Sequence, residues 1–406
     1  MNWQLDAQPE PTTLVLPPDA ASLDEANLAI EFWEFYSGKT LDPTQRLWVQ
    51  AKMAERPDGR WAAKTTGRAM ARQNGKGDEI EVPEFWGLVQ RSEAILHTIH
   101  DAVLLATQTQ QRMLSLLEHR DLRGKVLRKW MGTGQQMIEM RNGGIIWYRT
   151  RTGGGGRGID DIDRLVVDEA QHATAEQLSA ITSILFANEN PQLNIAGTAG
   201  IAGRSEWWWS QRLRAISDDP GAFAFMEHSA ETFHLDDEGR VVQVPADPLD
   251  QDVWRRVNPA IGCGRMQDGV EFLEEDLRTL GVEMFAQEHL CVWAPPPFDA
   301  RPDVKIPADR WAETAGVEVS PEPGCMTVSF AVDPNGASSS ISLGSGTILD
   351  PYVVVVDHRD GVGWLPGRLV ELVERWAPLA VGFNNAGPAA AQAGSVLEAF
   401  RSADID

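Results

Sequence analysis

The stretch Arg72-Gln73-Asn74-Gly75-Lys76-Gly77-Asp78 constrains this chain more than any other. It follows a segment with strand potential, Ala62 to Ala71, and precedes a run that can start a helix. A strand, a tight glycine turn and a helix N-terminus form a cradle for phosphate. Backbone N–H groups and the helix dipole face the anion, and a lysine adds a mobile positive charge. The usual written form, G-x-x-x-x-G-K-[ST], is met in part. Gly75-Lys76 is present, but Met70 stands at the first glycine and Gly77 stands where a Mg²⁺-binding hydroxyl is expected. Gly-Lys-Gly alone also suits a plain surface turn, so the reading needs a second element.

Arg164-Leu165-Val166-Val167-Asp168-Glu169-Ala170 supplies it. Apolar residues running into two adjacent carboxylates suit a buried parallel strand that delivers acids at its carboxyl end. In P-loop enzymes the first acid holds Mg²⁺ and the second polarises the attacking water. A further strand pattern ends in a small-residue loop, Leu193 to Gly200, where such enzymes sense the γ-phosphate. Strands alternating with helices from Lys64 to about Met226 predict an α/β fold with a doubly wound parallel sheet. Its ligands lie beyond the carboxyl ends of the strands.

Taken together, Arg-Gln-Asn-Gly-Lys-Gly, Val-Val-Asp-Glu-Ala and the Ala-Gly-Thr loop resemble the large terminase subunit of tailed bacteriophages. Leu41-Asp42-Pro43-Thr44-Gln45-Arg46, Trp254 with Asn258-Pro259, Glu288-His289-Leu290 with Trp293, Asp333 and Ala386-Gly387-Pro388-Ala389 extend the likeness over roughly residues 40 to 400. The family is a DNA-packaging ATPase and nuclease. The resemblance implies that Gln45 reads adenine and that Arg72, Gln73, Asn74, Gly75, Lys76, Gly77 and Thr198 line the ATP site. Lys76 would neutralise the β,γ-phosphates, Asp168 anchor Mg²⁺, Glu169 orient water and Arg72 act as the transition-state arginine. Implied partners are double-stranded viral DNA, a small terminase subunit, the portal protein and further copies in a ring. The implied location is the host cytoplasm and, transiently, the portal vertex of the procapsid.

The implied organisation is an acidic N-terminal arm (1–40), a P-loop ATPase domain (41–235), a connector (236–320) and a partial RNase-H-like nuclease domain (321–406). A chain of 406 residues exceeds one core. No window suits a membrane-spanning helix, and Met1 to Pro18 is neither basic nor apolar enough for a signal peptide. Three widely spaced cysteines make no disulfide framework or zinc site. The net charge of −23 argues against nucleic acid. Between Arg112 and Arg157, however, ten basic residues face three acids, so one basic region could bind phosphates or simply be a solvated face. The first 38 residues carry seven acids and no Lys or Arg, which predicts a disordered arm to about Ala20. Beyond it, Leu28, Phe32 and Phe35 form an apolar stripe able to dock.

Several local readings follow. Glu79 to Gln90 continues the helix after the glycine loop, with Pro83 awkward inside it. Of two apolar runs, Ala102 to Ala106 is the better strand and Ala94 to Ile99 the poorer. Arg151 to Gly158, with four consecutive glycines, is a mobile active-site or DNA-facing loop. In Trp207-Trp208-Trp209, two rings pack and at least one is partly exposed. Strands at Met326–Asp333, Ser338–Leu343 and Tyr352–Val356, then helix, strand and helix, give the RNase-H-like order.

Two-metal nucleases need several carboxylates on Mg²⁺ or Mn²⁺. Asp333 matches the first ligand. At the second position stands Asn384, a neutral and poorer ligand. The third acid of the family falls beyond Asp406, and Asp357 and Asp360 read as a surface turn pair. The expectation is therefore a working ATPase and an impaired nuclease. A DEAD-like helicase without a strand set after residue 320, or a non-enzymatic DNA- or portal-binding remnant, stays open.

Overall fold

A computed structural model describes Trp3, residues 9–296 and residues 325–405, apart from 133, 152–158, 160, 237–240, 262, 264, 267–268, 334–336, 347–350 and 385–387. The chain divides into two units, Met1–Val304 and Lys305–Asp406. Among the described residues no helix is long and apolar enough to cross a membrane.

The first unit is built on nine strands: β1 (Thr13–Val15), β2 (Thr65–Met70), β3 (Ala94–Ile99), β4 (Val126–Trp130), β5 (Met137–Met140), β6 (Ile145–Thr150), β7 (Arg164–Val167), β8 (Gln192–Gly197) and β9 (Phe223–His228). Their order is β1-β9-β2-β8-β7-β3-β6-β5-β4. The run from β9 to β6 is parallel, with antiparallel strands at both ends. Apolar clusters cover both faces. Adjacent Ile95 and Leu96 on β3 enter different clusters, as the two-residue strand period requires.

Three sequence expectations shift here. Ala94–Ile99 is the strand, while Ala102–Leu104 starts a helical segment. Asp101 decides this, because its carboxylate accepts from the N–H groups of Val103 and Leu104 and caps that segment. The N-terminal arm is ordered at Thr13–Val15, which pair with β9. Helix α1 (Asp24–Ser37) docks through Ala26, Ala29, Ile30 and Trp33; of the expected stripe Phe32 packs against this core, whereas Leu28 and Phe35 face solvent. The Trp33 indole N–H donates to Glu81 at 2.8 Å, so the ring's burial and its polar edge are satisfied together.

Helix α2 (Pro43–Met53) starts with a capping box, Asp42 and Gln45, and has Pro43 at its first turn. Helix α3 (Lys76–Trp86) runs through Pro83 and passes into a wider turn at Gly87–Arg91. Proline removes the N–H that would reach the carbonyl four residues back, at Glu79. The buried Lys52 ammonium fills that gap, donating to Glu79 O at 3.0 Å. Beyond the sheet come a β10 (Glu231–Leu235)–β11 (Val241–Pro245) hairpin and helices Gln251–Val257, Gly269–Leu280 and Val282–His289. Of the stretch expected as a connector (236–320), residues up to Val304 fall in the first unit.

The second unit is a four-stranded sheet in the order β14 (Pro351–Asp360)-β13 (Ser338–Gly346)-β12 (Met326–Val332)-β15 (Ala380–Phe383). The first three strands are antiparallel in sequence, and β15 runs parallel to β12. Helices Leu365–Trp376 and Ala393–Ser402 bury Leu365, Leu369, Leu372 and Val396 against Val328, Phe330 and Ile341.

Candidate active site

Strand β2 ends at Met70, and the chain turns through left-handed Gln73 (φ 60°) and Gly75 (φ 88°) into α3, with Gly75 as its N-cap. The first N–H groups of a helix are the ones such a turn can offer an anion, and of these the Asp78 N–H is taken by Gly75 O at 3.1 Å. Lys76 curls back over the turn, its Nζ donating to Met70 O at 2.8 Å and Ala71 O at 3.0 Å. Burial holds the Lys76 ammonium below its usual pKa, against the opposing pull of Glu169 and Asp168. Asp78 in the first turn is paired with Lys39 and Arg112.

Strand β7 lies two places from β2, with β8 between them. The parallel registers Ala69↔Gly197 and Val167↔Ile195 bring the glycine loop, Asp168-Glu169 and Thr198 to one end of the sheet. Asp168 Oδ1 accepts from the Glu169 N–H at 2.9 Å. Glu169 itself is left-handed (φ 53°), which turns its side chain out of the strand pattern. Its Oε2 accepts from Gln171 Nε2, and Gln171 Oε1 accepts from the Thr198 N–H at 3.1 Å. The second acid is therefore joined to the loop after β8 through one glutamine. Gly197 allows this, since a Cβ there would meet Gln171 Oε1 at 2.8 Å.

The two acids differ electrostatically. Burial and the Glu169 charge push the Asp168 carboxyl up, with His97 and Lys76 opposing. Burial also pushes Glu169 up, but Lys76, the Gln171 hydrogen bond and Arg72 together hold it below its ordinary value. Arg151 pins both acids from behind, donating to Asp168 O at 2.7 Å and Glu169 O at 2.9 Å. Burial lowers its own pKa to about 10. His97 on β3 is buried, with Nδ1 2.6 Å from Glu84 and Nε2 3.9 Å from Asp168.

The remaining residues singled out in the sequence are placed less uniformly. Gln45 reaches the loop, donating from Nε2 to Gly75 O at 3.2 Å, while its Oε1 accepts from the Asp42 N–H. Gln73 is exposed. Arg72 is half exposed and paired with Glu288, and its N–H donates to Glu288 O at 3.1 Å. Asn74 is buried against the segment Asn258–Ala260. Sequence reasoning passed over Gln171, His97 and Arg265, and placed Arg151 in a mobile loop rather than behind the two acids. Only Gln171 left a local signal, standing two residues after the acid it binds.

The basic stretch resolves into two kinds of residue. Arg112 pairs with Asp78 and Glu81, and Arg149 and Arg151 donate to backbone carbonyls, so these three are internal struts rather than a DNA face. Arg123, Lys125, Arg128, Lys129 and Arg141 are exposed on or beside β4, with Arg128 paired to Glu139 and Arg141 donating to Gly124 O at 3.0 Å. The glycine run 152–158, including Arg157, lies outside the described residues. Trp208 and Trp209 are buried and Trp207 is half-buried, as expected.

In the second unit, Phe330 pairs with Phe383 in parallel register, which brings exposed Asp333 and Asn384 to the same end of the sheet. Asp357 is no turn residue. It lies within β14 and accepts from Arg359 and Arg368, whose hydrogen bonds hold its carboxyl below the usual range. Asp360, also on β14, is exposed opposite Ser338. Among the described residues no group of three or more His, Cys, Asp and Glu could hold a metal ion.

The fold is matched by the large terminase of bacteriophage HK97, at a TM-score of 0.53 and 15% identity, over 92% of this chain and 77% of that one. This chain has the fold of a phage large terminase. The ATPase domain of the Thermus phage P74-26 large terminase aligns over 64% of this chain and 97% of its own (TM-score 0.43, 14% identity). The large terminase of the thermophilic bacteriophage D6E, in complex with ADP, aligns over 96% and 81% (TM-score 0.39, 12% identity). No family model matches the sequence, and no curated protein matches it. At such identities the terminase likeness is one of backbone arrangement.

Proposed function

We propose that the protein is the ATP-driven motor that moves double-stranded viral DNA into a procapsid, a large terminase subunit. The observation that carries this reading is the convergence of the Gly75-Lys76 turn, Asp168-Glu169 and Thr198 at the carboxyl ends of three neighbouring parallel strands. The turn's amides and Lys76 would take the β- and γ-phosphates of ATP. Glu169, kept ionised by Lys76 and Gln171, would polarise the attacking water, and its link to Thr198 would report the γ-phosphate to β8. Arg72 would reach the transition state after leaving Glu288. Gln45 would face the adenine.

A magnesium ion would take Asp168 as its protein ligand. Asp168 is a carboxylate destabilised by burial and by a second acid, a setting that a cation relieves. Gly77 offers no hydroxyl, so Asp168 would hold Mg²⁺ together with the nucleotide's own phosphates and water, the usual economy of Mg²⁺ sites. The ion would neutralise developing charge on the phosphate oxygens.

The exposed basic residues around β4 are the proposed DNA contact. The portal, the small subunit and further copies in a ring are the proposed protein partners, in the host cytoplasm and at the portal vertex. The strand order of the second unit supports an RNase-H-like domain and counts against a helicase, which has no such sheet. Its nuclease, using Mg²⁺ or Mn²⁺ at Asp333, is proposed to be impaired by Asn384. A DNA-stimulated ATPase assay on the purified chain is the direct test. Turnover that DNA accelerates is expected, and its absence would leave only a DNA- or portal-binding remnant.

A further inference from the structure

Asn74 lies between two left-handed residues, Gln73 and Gly75, and the Asn74–Gly75 peptide leads directly into the second of them. Glycine enters left- and right-handed conformations with similar ease, so local torsional preference leaves this plane poorly determined. In a trans peptide the C=O and the following N–H point in opposite directions. The direction of Asn74 O therefore decides whether the turn offers an anion the Gly75 N–H or a repelling carbonyl. A partner on Asn74 O can set that choice.

Arg265 is that partner. Its Nη1 donates to Asn74 O at 3.0 Å, and its Nη2 pairs with the Asp42 carboxylate at the start of α2. A Cβ on Gly75 would overlap the guanidinium, so the two groups are in direct contact. The Asn74 side chain is gripped by the same segment. Its Nδ2 donates to Asn258 Oδ1 at 2.6 Å, and its Oδ1 accepts from the Ala260 N–H at 3.1 Å. Asn258 is itself anchored, donating to Trp254 O at 2.9 Å and His289 O at 3.0 Å. Asn258, Ala260 and Arg265 thus hold one peptide of the loop by its carbonyl and by the side chain of Asn74.

We infer that Arg265 is a positioning residue for the phosphate cradle: its fork between Asn74 O and Asp42 keeps the Gly75 N–H available to a polyphosphate. The inference rests on the phosphate-loop reading of Arg72–Asp78. The planar fork matters more than the charge. A lysine presents one compact ammonium, which cannot reproduce two fixed donors aimed at a carbonyl and a carboxylate.

The test is calorimetric titration of the full chain with inorganic tripolyphosphate and, separately, with ADP, both in Mg²⁺. Wild type, Arg265→Ala, Arg265→Lys and Lys76→Ala are compared, each with its thermal midpoint. Loss of a charge-assisted hydrogen bond predicts roughly tenfold weaker binding of both ligands in both Arg265 variants. The thermal midpoint should stay near wild type, because the side chain is partly exposed. Wild-type affinity in Arg265→Ala overturns the inference. So does retention in Arg265→Lys with loss in Arg265→Ala, which would make Arg265 a charge acting directly on the phosphates. Lys76→Ala separates the two levels. If it binds tripolyphosphate as wild type does, the phosphate-loop reading has failed, and the inference with it.

Discussion

Exchanging each acid for its amide tests the division of labour between Asp168 and Glu169. In Glu169→Gln the side chain keeps its size, and its Oε1 can still accept from Gln171, so the link to Thr198 survives. The polarising charge is lost. Removal of a positioned general base costs on the order of 10²- to 10⁴-fold in rate, or about 3–5 kcal/mol of barrier. Nucleotide affinity should not fall, because Glu169 is the main charge disfavouring ionised Asp168, and removing it eases cation binding there. Asp168→Asn should behave differently. It removes the carboxylate that would hold Mg²⁺, so affinity for ADP should drop about tenfold or more in Mg²⁺ and little in EDTA, as expected for one charged ligand. Steady-state hydrolysis with DNA, and ADP titrations with and without Mg²⁺, read the two effects separately. Equal losses of Mg²⁺-dependent affinity in both variants would refute the division, as would Glu169→Gln retaining more than about a tenth of wild-type turnover.

Lys76→Ala should abolish ATP hydrolysis while the far-UV circular dichroism is unchanged, since the hydrogen bonds of its ammonium go to the turn carbonyls Met70 O and Ala71 O and not to a helix or strand ladder; wild-type turnover in this variant would remove the motor reading. The protein should not nick supercoiled plasmid in Mn²⁺, because Asn384 is neutral and Asp357 is taken by Arg359 and Arg368. Nicking that disappears in Asp333→Ala would show a working site. Stability should respond to pH through Lys52, whose pKa is lowered to about 7 by burial and by Arg164. Above that value the unfolded chain still binds the proton that the folded chain has released. Stability from this group therefore rises with pH from about 7 toward 10, by at most about 1.4 kcal/mol per unit. Urea denaturation at pH 7 and pH 9 should show that gain in wild type and not in Lys52→Met.

The glycine-lysine turn, the Asp-Glu strand and the small-residue loop were legible because each is a contiguous pattern set by local chemistry. Glycine permits the left-handed turn, an unbroken apolar run suits a strand buried on both faces, and Asp42 with Gln45 writes a helix start. The same locality explains the four strands of the second unit. What needed the tertiary structure was any choice between locally equal options. Ala94–Ile99 and Ala102–Ala106 are both apolar, and only the Asp101 cap separates them. Helix α1 could offer Phe35 or Trp33 to the core, and Glu81, 48 residues further along, selected Trp33. Pro83 reads as a helix breaker until Lys52 is seen on the freed Glu79 carbonyl. Arg265 carries no sequence signal at all, since its meaning depends on a peptide 191 residues away. Side-chain periodicity reports which face of an element is buried. It carries no information about which distant polar group will meet that face, and at this site those meetings hold the glycine loop, the acids and the end of β8 in place.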